Sequence, residues 1–212
     1  MSSEPRSLPD PPSDGITSIS YLPNQQSNSS ILAATSWDGG LRVYDTTAMT
    51  SVVARNMESG PLMSLAASKD GSVYTGGLDG SVRKFDITTN KPTLVGKHAG
   101  KKDATSGQNC VSCLSPLSPP LVASASWDGR VHVWDVRCSS SSTPASSFDL
   151  PGKAFSMDSC DEKLVVATAG RRTVLLDVRR DGEVVEVEEV MERESSLKYQ
   201  TRVVRFFPNG GG

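Results

Sequence analysis

Long apolar runs are missing from this 212-residue chain: none approaches the ~18 consecutive apolar residues that a membrane-crossing helix needs. The opening stretch, MSSEPRSLPDPPSDG, has no apolar core of the kind a secretory leader uses, so the reading is a protein of the reducing cytosol or nucleus. An excess of either charge is also absent. The formal net charge is −2, which argues against long-range attraction to a phosphate backbone and so against direct nucleic-acid binding. Histidine is scarce, with two residues, His98 and His132. No phosphate-cradling G-x-x-x-x-G-K-[ST] and no His–Asp–Ser set of known spacing occurs, so no catalytic residue is nominated and the chain is read as a non-enzyme.

The four cysteines add little chemistry. Cys110 and Cys113 form a C-x-x-C, whereas Cys138 and Cys160 stand apart. A structural zinc needs four ligands at workable spacing, and the two histidines do not complete such a set. A redox C-x-x-C opens a helix, but this one lies in VSCLSPL, which reads as a strand. Buried structural thiols are expected, with no metal and no cofactor.

What the chain does have is repetition. One phrase recurs as ILAATSWDGGLRVYD (Ile31–Asp45), SVYTGGLDGSVRKFD (Ser72–Asp86) and LVASASWDGRVHVWD (Leu121–Asp135). A worn copy, LVVATAGRRTVLLD, runs from Leu164 to Asp177. The closing aspartates, Asp45, Asp86, Asp135 and Asp177, recur at the period of WD40 propeller blades, with one longer gap before Asp135. Within each phrase apolar and small residues alternate up to an Asp-Gly, then alternate again, which is a strong hairpin signal. One further run precedes each hairpin (Ile16–Leu22, Pro61–Ser68, Cys110–Leu117, Ala154–Cys160) and one follows it (Ser51–Arg55, Thr93–Lys97, Ser146–Leu150, Val184–Val190). Four strands per repeat make one blade. The expected organisation is all-β: a flexible segment over 1–13, then a partial propeller over 14–209. Its blades lie near 16–55, 61–97, 110–150 and 154–190, and a fifth begins at 201 with the strand Thr201–Phe207. Ser139–Ser147, SSSSTPASS, is expected to be a solvated loop. VVEVEEV at Val184–Val190 reads as an outer strand whose glutamates guard an edge. An open ring leaves blade flanks bare, so a fragment of a larger ring, or two copies closing one another, is expected.

The strings ATSWDGGLRVYD, SASWDGRVHVWDVR, ATAGRRTVLLDVR and above all RESSLKYQTRVVRFFPN resemble the mitotic spindle-checkpoint propellers, the budding-uninhibited-by-benzimidazole-3 family, from about Asp14 to Asn209. The mRNA-export propellers of the nuclear pore share the blades and a related LKYQ stretch. The resemblance implies a seven-bladed, non-catalytic scaffold in the nucleus and at kinetochores, with a cytoplasmic pool. One face would hold a short acidic segment of a checkpoint kinase or its pseudokinase relative; in the export relative it would hold a nucleoporin segment. A generic WD40 adaptor is the remaining alternative. The family also recognises phosphorylated Met-Glu-Leu-Thr repeats of a kinetochore scaffold. The basic residues for that task lie in blades beyond the start of the fifth, so this chain is expected to lack it.

On this reading Trp37 and Trp127, each just before a turn aspartate, form an apolar floor on one rim, since a large indole there is not needed in the core. Lys198 and Arg202 in LKYQTR supply charge, with Arg202 gripping partner carboxylates by the resemblance. Arg171 and Arg172, which replace the Asp-Gly of the fourth copy, either extend that basic rim or reshape the turn. His98, Asp38, Asp79, Asp128 and Trp134 are structural. By family analogy His98 bonds to Asp128 with Trp134 alongside. The other blades, lacking such a histidine, are expected to close their turns less completely.

Overall fold

Alternation of apolar residues on either side of three Asp-Gly turns produces four antiparallel sheets, each a simple up-and-down meander. The structure, a computed structural model, describes residues 7–23, 30–57, 60–68, 70–99, 108–137, 143–182 and 184–207. Blade one comprises β1 (Ile16–Tyr21), β2 (Ile31–Ser36), β3 (Gly40–Asp45) and β4 (Thr50–Asn56). Blade two comprises β5 (Leu62–Ala67), β6 (Val73–Gly77), β7 (Ser81–Asp86) and β8 (Lys91–Lys97). Blade three comprises β9 (Val111–Pro116), β10 (Leu121–Ser126), β11 (Arg130–Asp135) and β12 (Ser146–Asp149). Blade four comprises β13 (Ala154–Cys160), β14 (Lys163–Thr168), β15 (Arg172–Asp181) and β16 (Val184–Glu194). Among the described residues the single helical element is the 3-10 turn Ala169–Arg171. The fold is a β-propeller architecture, as the repeats predict.

The blades pack face to face in chain order, and each junction has its own apolar layer. Leu41, Val43, Leu62, Leu65 and Phe85 fill the first, Val82, Val111, Leu114, Val122 and Trp134 the second, and Val131, Val133, Met157, Leu164 and Val174 the third. The innermost strands β1, β5, β9 and β13 lie side by side around a polar groove of about 370 Å³. Serines tie neighbouring inner strands together. Ser64 Oγ donates to the Val111 carbonyl at 2.7 Å, and Ser112 Oγ donates to the Ala154 carbonyl at 2.8 Å.

The repeats act as controls for one another. Leu62 and Leu65 are 0% and 8% exposed, Val111 and Leu114 0% and 8%, and Ala154 and Met157 0% and 4%. The equivalent residues of blade one, Ile16 and Ile19, are 59% and 63% exposed. Each forgoes roughly 1.5–3 kcal/mol of burial. The outer part of the same flank is covered by residues from the 1–13 segment: the Asp10 carbonyl accepts from Arg42 Nε at 3.0 Å and from the Tyr44 hydroxyl at 3.1 Å.

Beyond blade four, Thr201–Phe207, expected as the first strand of a fifth blade, carries no strand ladder among the described residues. Its N–H groups are taken by side chains of β13 instead: Val204 donates to Ser156 Oγ at 3.1 Å and Phe206 to Asp158 Oδ2 at 2.8 Å. In the loop expected to be solvated, residues 139–142 lie outside the described residues, and Ser146 and Ser147 belong to β12. Cys138 and residues 1–6 and 208–212 also lie outside them.

Candidate functional site

The residue after the second strand of each blade donates its N–H to the residue before the first: Trp37 to Gly15, Leu78 to Pro61, Trp127 to Cys110 and Ala169 to Lys153, at 2.8–3.0 Å. This clasp puts the four turns and the four blade entrances on one face. Asp38, Asp79 and Asp128 follow the clasp, each before a glycine at φ between 77° and 84°, the left-handed conformation such a turn requires.

Blade three holds its turn aspartate with histidine. His98, fully buried, places Nδ1 3.2 Å from Asp128 Oδ2 and Nε2 2.8 Å from Ser124 Oγ, to which Trp134 Nε1 also donates at 2.8 Å. Burial alone would raise the Asp128 carboxyl, but the bond from His98 and the Arg130 N–H hold it below its usual value. The ring of His132 lies 4.2 Å from that of His98.

Blades one and two correct the expectation of looser turns. Four residues past the aspartate, where blade three has His132, they carry Arg42 and Arg83, which clamp it by ion pairs of 3.0 Å (Arg42–Asp38) and 3.6 Å (Arg83–Asp79). Burial would raise Asp38, yet Ser36, Arg42 and the N–H groups of Ser13 and Gly40 hold its carboxyl well below the usual carboxylate range. The signal was present as DGGLR and DGSVR. Where blade three has His98, Ser124 and Trp134, blade two has Met57, Thr75 and Phe85, and the buried Thr75 hydroxyl has no hydrogen-bond partner among the described residues.

His98, Asp128 and His132 bring potential ligand atoms within 4.8 Å of one another. Both His98 nitrogens are already hydrogen-bonded and His132 Nδ1 lies 2.7 Å from Ser147 Oγ, so the cluster fits a packed clamp better than a cation site. Cys110 and Cys113 are buried, and burial pushes their thiols up to about 12 and about 11, away from the thiolate that redox or metal chemistry needs.

The histidine cluster makes the fold acid-sensitive. Burial first, then the neighbouring His98, holds His132 at about 4, against an ordinary 6.5. Below pH 6.5 an unfolded chain takes up a proton that the folded one refuses. Stability from this group is therefore full above pH 6.5 and is lost progressively down to pH 4, by about 3 kcal/mol. Urea unfolding at stepped pH should show this slope, and His132→Gln should flatten it; equal slopes in both proteins would refute the assignment.

The nominated docking residues all belong to the clasp face, but they are not one contiguous patch. Trp37 is 43% exposed and lies two blades from Trp127, with Leu78 in the equivalent place between them. Trp127 is only half open. Its indole nitrogen is buried without a hydrogen-bond partner among the described residues, and Lys153 of blade four stands over its ring at 5.8 Å. Arg202 lies over the Phe155 ring at 5.2 Å. Lys198 is exposed in the loop between β16 and that segment, flanked by Leu197 and Tyr199, 70% and 85% exposed. Arg171 is not free for a basic rim: it pairs with Glu194 and donates to the Leu197 carbonyl at 2.9 Å, while Arg172 pairs with Glu192. Lys153 and Phe155 are absent from the sequence-based set. Only their position at the entrance of blade four, across from Trp127, gives them meaning.

The WD domain, G-beta repeat family matches residues 3–45 and 100–135. Over 98% of its length the chain is 33% identical to a mitotic checkpoint protein of Arabidopsis thaliana, covering 56% of that protein. It is 34% identical over its whole length to a mitotic checkpoint protein of Dictyostelium discoideum, covering 60%. Over 95% of its length it is 31% identical to a poly(A)+ RNA export protein of Schizosaccharomyces pombe, covering 53%. The chain thus spans little more than half the length of these relatives.

Proposed function

We infer, from the premise that this is a WD40-repeat propeller chain similar to both the mitotic checkpoint and the RNA-export propellers, that it is a non-enzymatic docking scaffold. Its partner is a short acidic segment of a checkpoint kinase or of the kinase's pseudokinase relative, which it carries to kinetochores. The observation that supports this most is the charge state of the clasp face. Most arginines are consumed by carboxylates, those of the turns on this face included, as Arg42, Arg83, Arg130, Arg137, Arg171, Arg172 and Arg179 are. On the clasp face Lys153, Lys198 and Arg202 have no carboxylate partner among the described residues, and an exposed indole, Trp37, shares that face. Cations without anions on a face that also exposes an aromatic are what an extended acidic segment with an apolar anchor would use.

The RNA-export reading, in which the same face takes a nucleoporin segment, draws on the similarity to the Schizosaccharomyces pombe protein. Titrating labelled peptides of both kinds into the chain separates the two readings. The checkpoint segment should bind at least tenfold more tightly, and Trp37→Ala or Arg202→Glu should each weaken it about tenfold or more while leaving the unfolding midpoint in place. Tighter binding of the nucleoporin peptide would transfer the function to export. Normal affinity in both variants would move the site elsewhere.

A further inference from the structure

We propose that Lys153 and Arg202, each mounted on an aromatic ring, form a two-cation reader at the blade three–four junction that fixes the register of the acidic segment. This inference rests on the docking function above and adds Lys153, Phe155 and Trp127 to it as a unit.

The repeats show that the fold does not require these residues. The entrance position of Lys153 is Gly15, Pro61 and Cys110 in the other blades, and the turn position of Trp127 is Leu78 and Ala169 in blades two and four. Each first strand carries the same register shift near its start, between Ile16 and Ser18, Leu62 and Ser64, and Ala154 and Ser156, with its counterpart in β9 opposite Ala125 and Ser126. The extra residue is Thr17, Met63, Ser112 or Phe155. A bulge re-aims a side chain out of the pleat, and only in blade four is that side chain aromatic. Clasp, bulge and turn thus bring an indole under Lys153 and a phenyl ring under Arg202 on adjoining inner edges, at 5.8 and 5.2 Å.

The arrangement suits carboxylates. A cation resting on a ring face is steered without being neutralised, so it keeps its charge for an incoming anion and loses less freedom when one arrives. Neither Lys153 nor Arg202 is engaged by a carboxylate among the described residues. The Lys153 backbone is pinned, because its carbonyl accepts from the Ala169 N–H at 2.8 Å. Two fixed positive points on adjoining edges select a segment with two acidic residues at matching separation.

The test uses the whole chain and a synthetic checkpoint-kinase peptide, with each peptide glutamate changed to glutamine in turn. Lys153→Met should weaken binding about tenfold and lower its salt dependence. One peptide glutamate should become silent in that variant, and a different one in Arg202→Met. Phe155→Leu should weaken binding about threefold with the charges intact, because Arg202 is no longer steered. If Trp37→Ala and Arg202→Glu weaken binding while Lys153→Met binds normally, the reader is wrong and the docking function stands. If Lys153→Met loses affinity equally for every peptide, register selection is wrong. If the unaltered chain does not hold the peptide, both fall together.

Discussion

Gly96→Ala is expected to break the junction between blades two and three. A methyl at Gly96, in β8, would sit closer than 3.0 Å to three atoms of the Trp134 ring, which is itself fully buried. The indole has nowhere to go. Its Nε1 is bonded to Ser124 on one side, and it meets the His98 and His132 rings edge-on at 6.2 and 5.4 Å. Overpacking a close-packed core costs about 1–3 kcal/mol, and here the upper end or more is expected because the obstacle is a rigid bicycle rather than a flexible side-chain end. Urea unfolding gives the value directly. Trp134→Ala alone should cost about 3–5 kcal/mol by leaving a cavity. Joined with Gly96→Ala it should cost less than the sum, because the added methyl then enters space that the indole has vacated. A loss below about 0.5 kcal/mol for Gly96→Ala, or strict additivity in the pair, would mean that this contact does not govern the junction.

How much of this was readable from residues alone follows from the range of the forces involved. The blades were legible because hairpins are local: alternation and an Asp-Gly turn sit within one short phrase, so the run from Leu121 to Asp135 states its own geometry. The bond from His98 to Asp128 was legible only through family resemblance, because the pair stands far apart along the chain, on either side of two strands of blade three. The arginine clamps of blades one and two were missed although Arg42 and Arg83 stand four residues from their aspartates. In a helix that interval marks neighbours; across a turn into a strand it carries no rule, and only the fold shows that Arg42 doubles back to Asp38. Lys153 and Phe155 were out of reach for a different reason. Their partners belong to the turn of the previous blade and to the segment that follows the whole of blade four, and a bulge decides where Phe155 points. The nominated indoles share a face, but their separation depends on counting blades, which set Leu78 between them.

Two chemistries hold one kind of turn in this molecule, and they should be exchangeable only as sets. In blade two the set is Met57, Asp79 and Arg83; in blade three it is His98, Asp128 and His132. His132→Arg alone should destabilise the chain by about 3 kcal/mol. The guanidinium arrives where the His98 ring already lies 4.2 Å away, and it competes for an Asp128 oxygen that His98 holds at 3.2 Å. His98→Met alone should cost about 2–3 kcal/mol, since buried Asp128 and Ser124 each lose a hydrogen-bonding partner. Together the changes rebuild the blade-two clamp: methionine clears the space, and the arginine reaches back to Asp128 as Arg83 does to Asp79. The double variant should therefore recover at least about 2 kcal/mol relative to the sum of the singles in a double-mutant cycle. The part of its stability loss between pH 6.5 and about 5, above the range in which the clamped aspartates protonate, should also vanish, because the buried imidazole that refuses the proton is gone. Additive losses within about 0.5 kcal/mol would show that the two clamps are not equivalent. An unchanged pH slope would show that the acid sensitivity comes from another group.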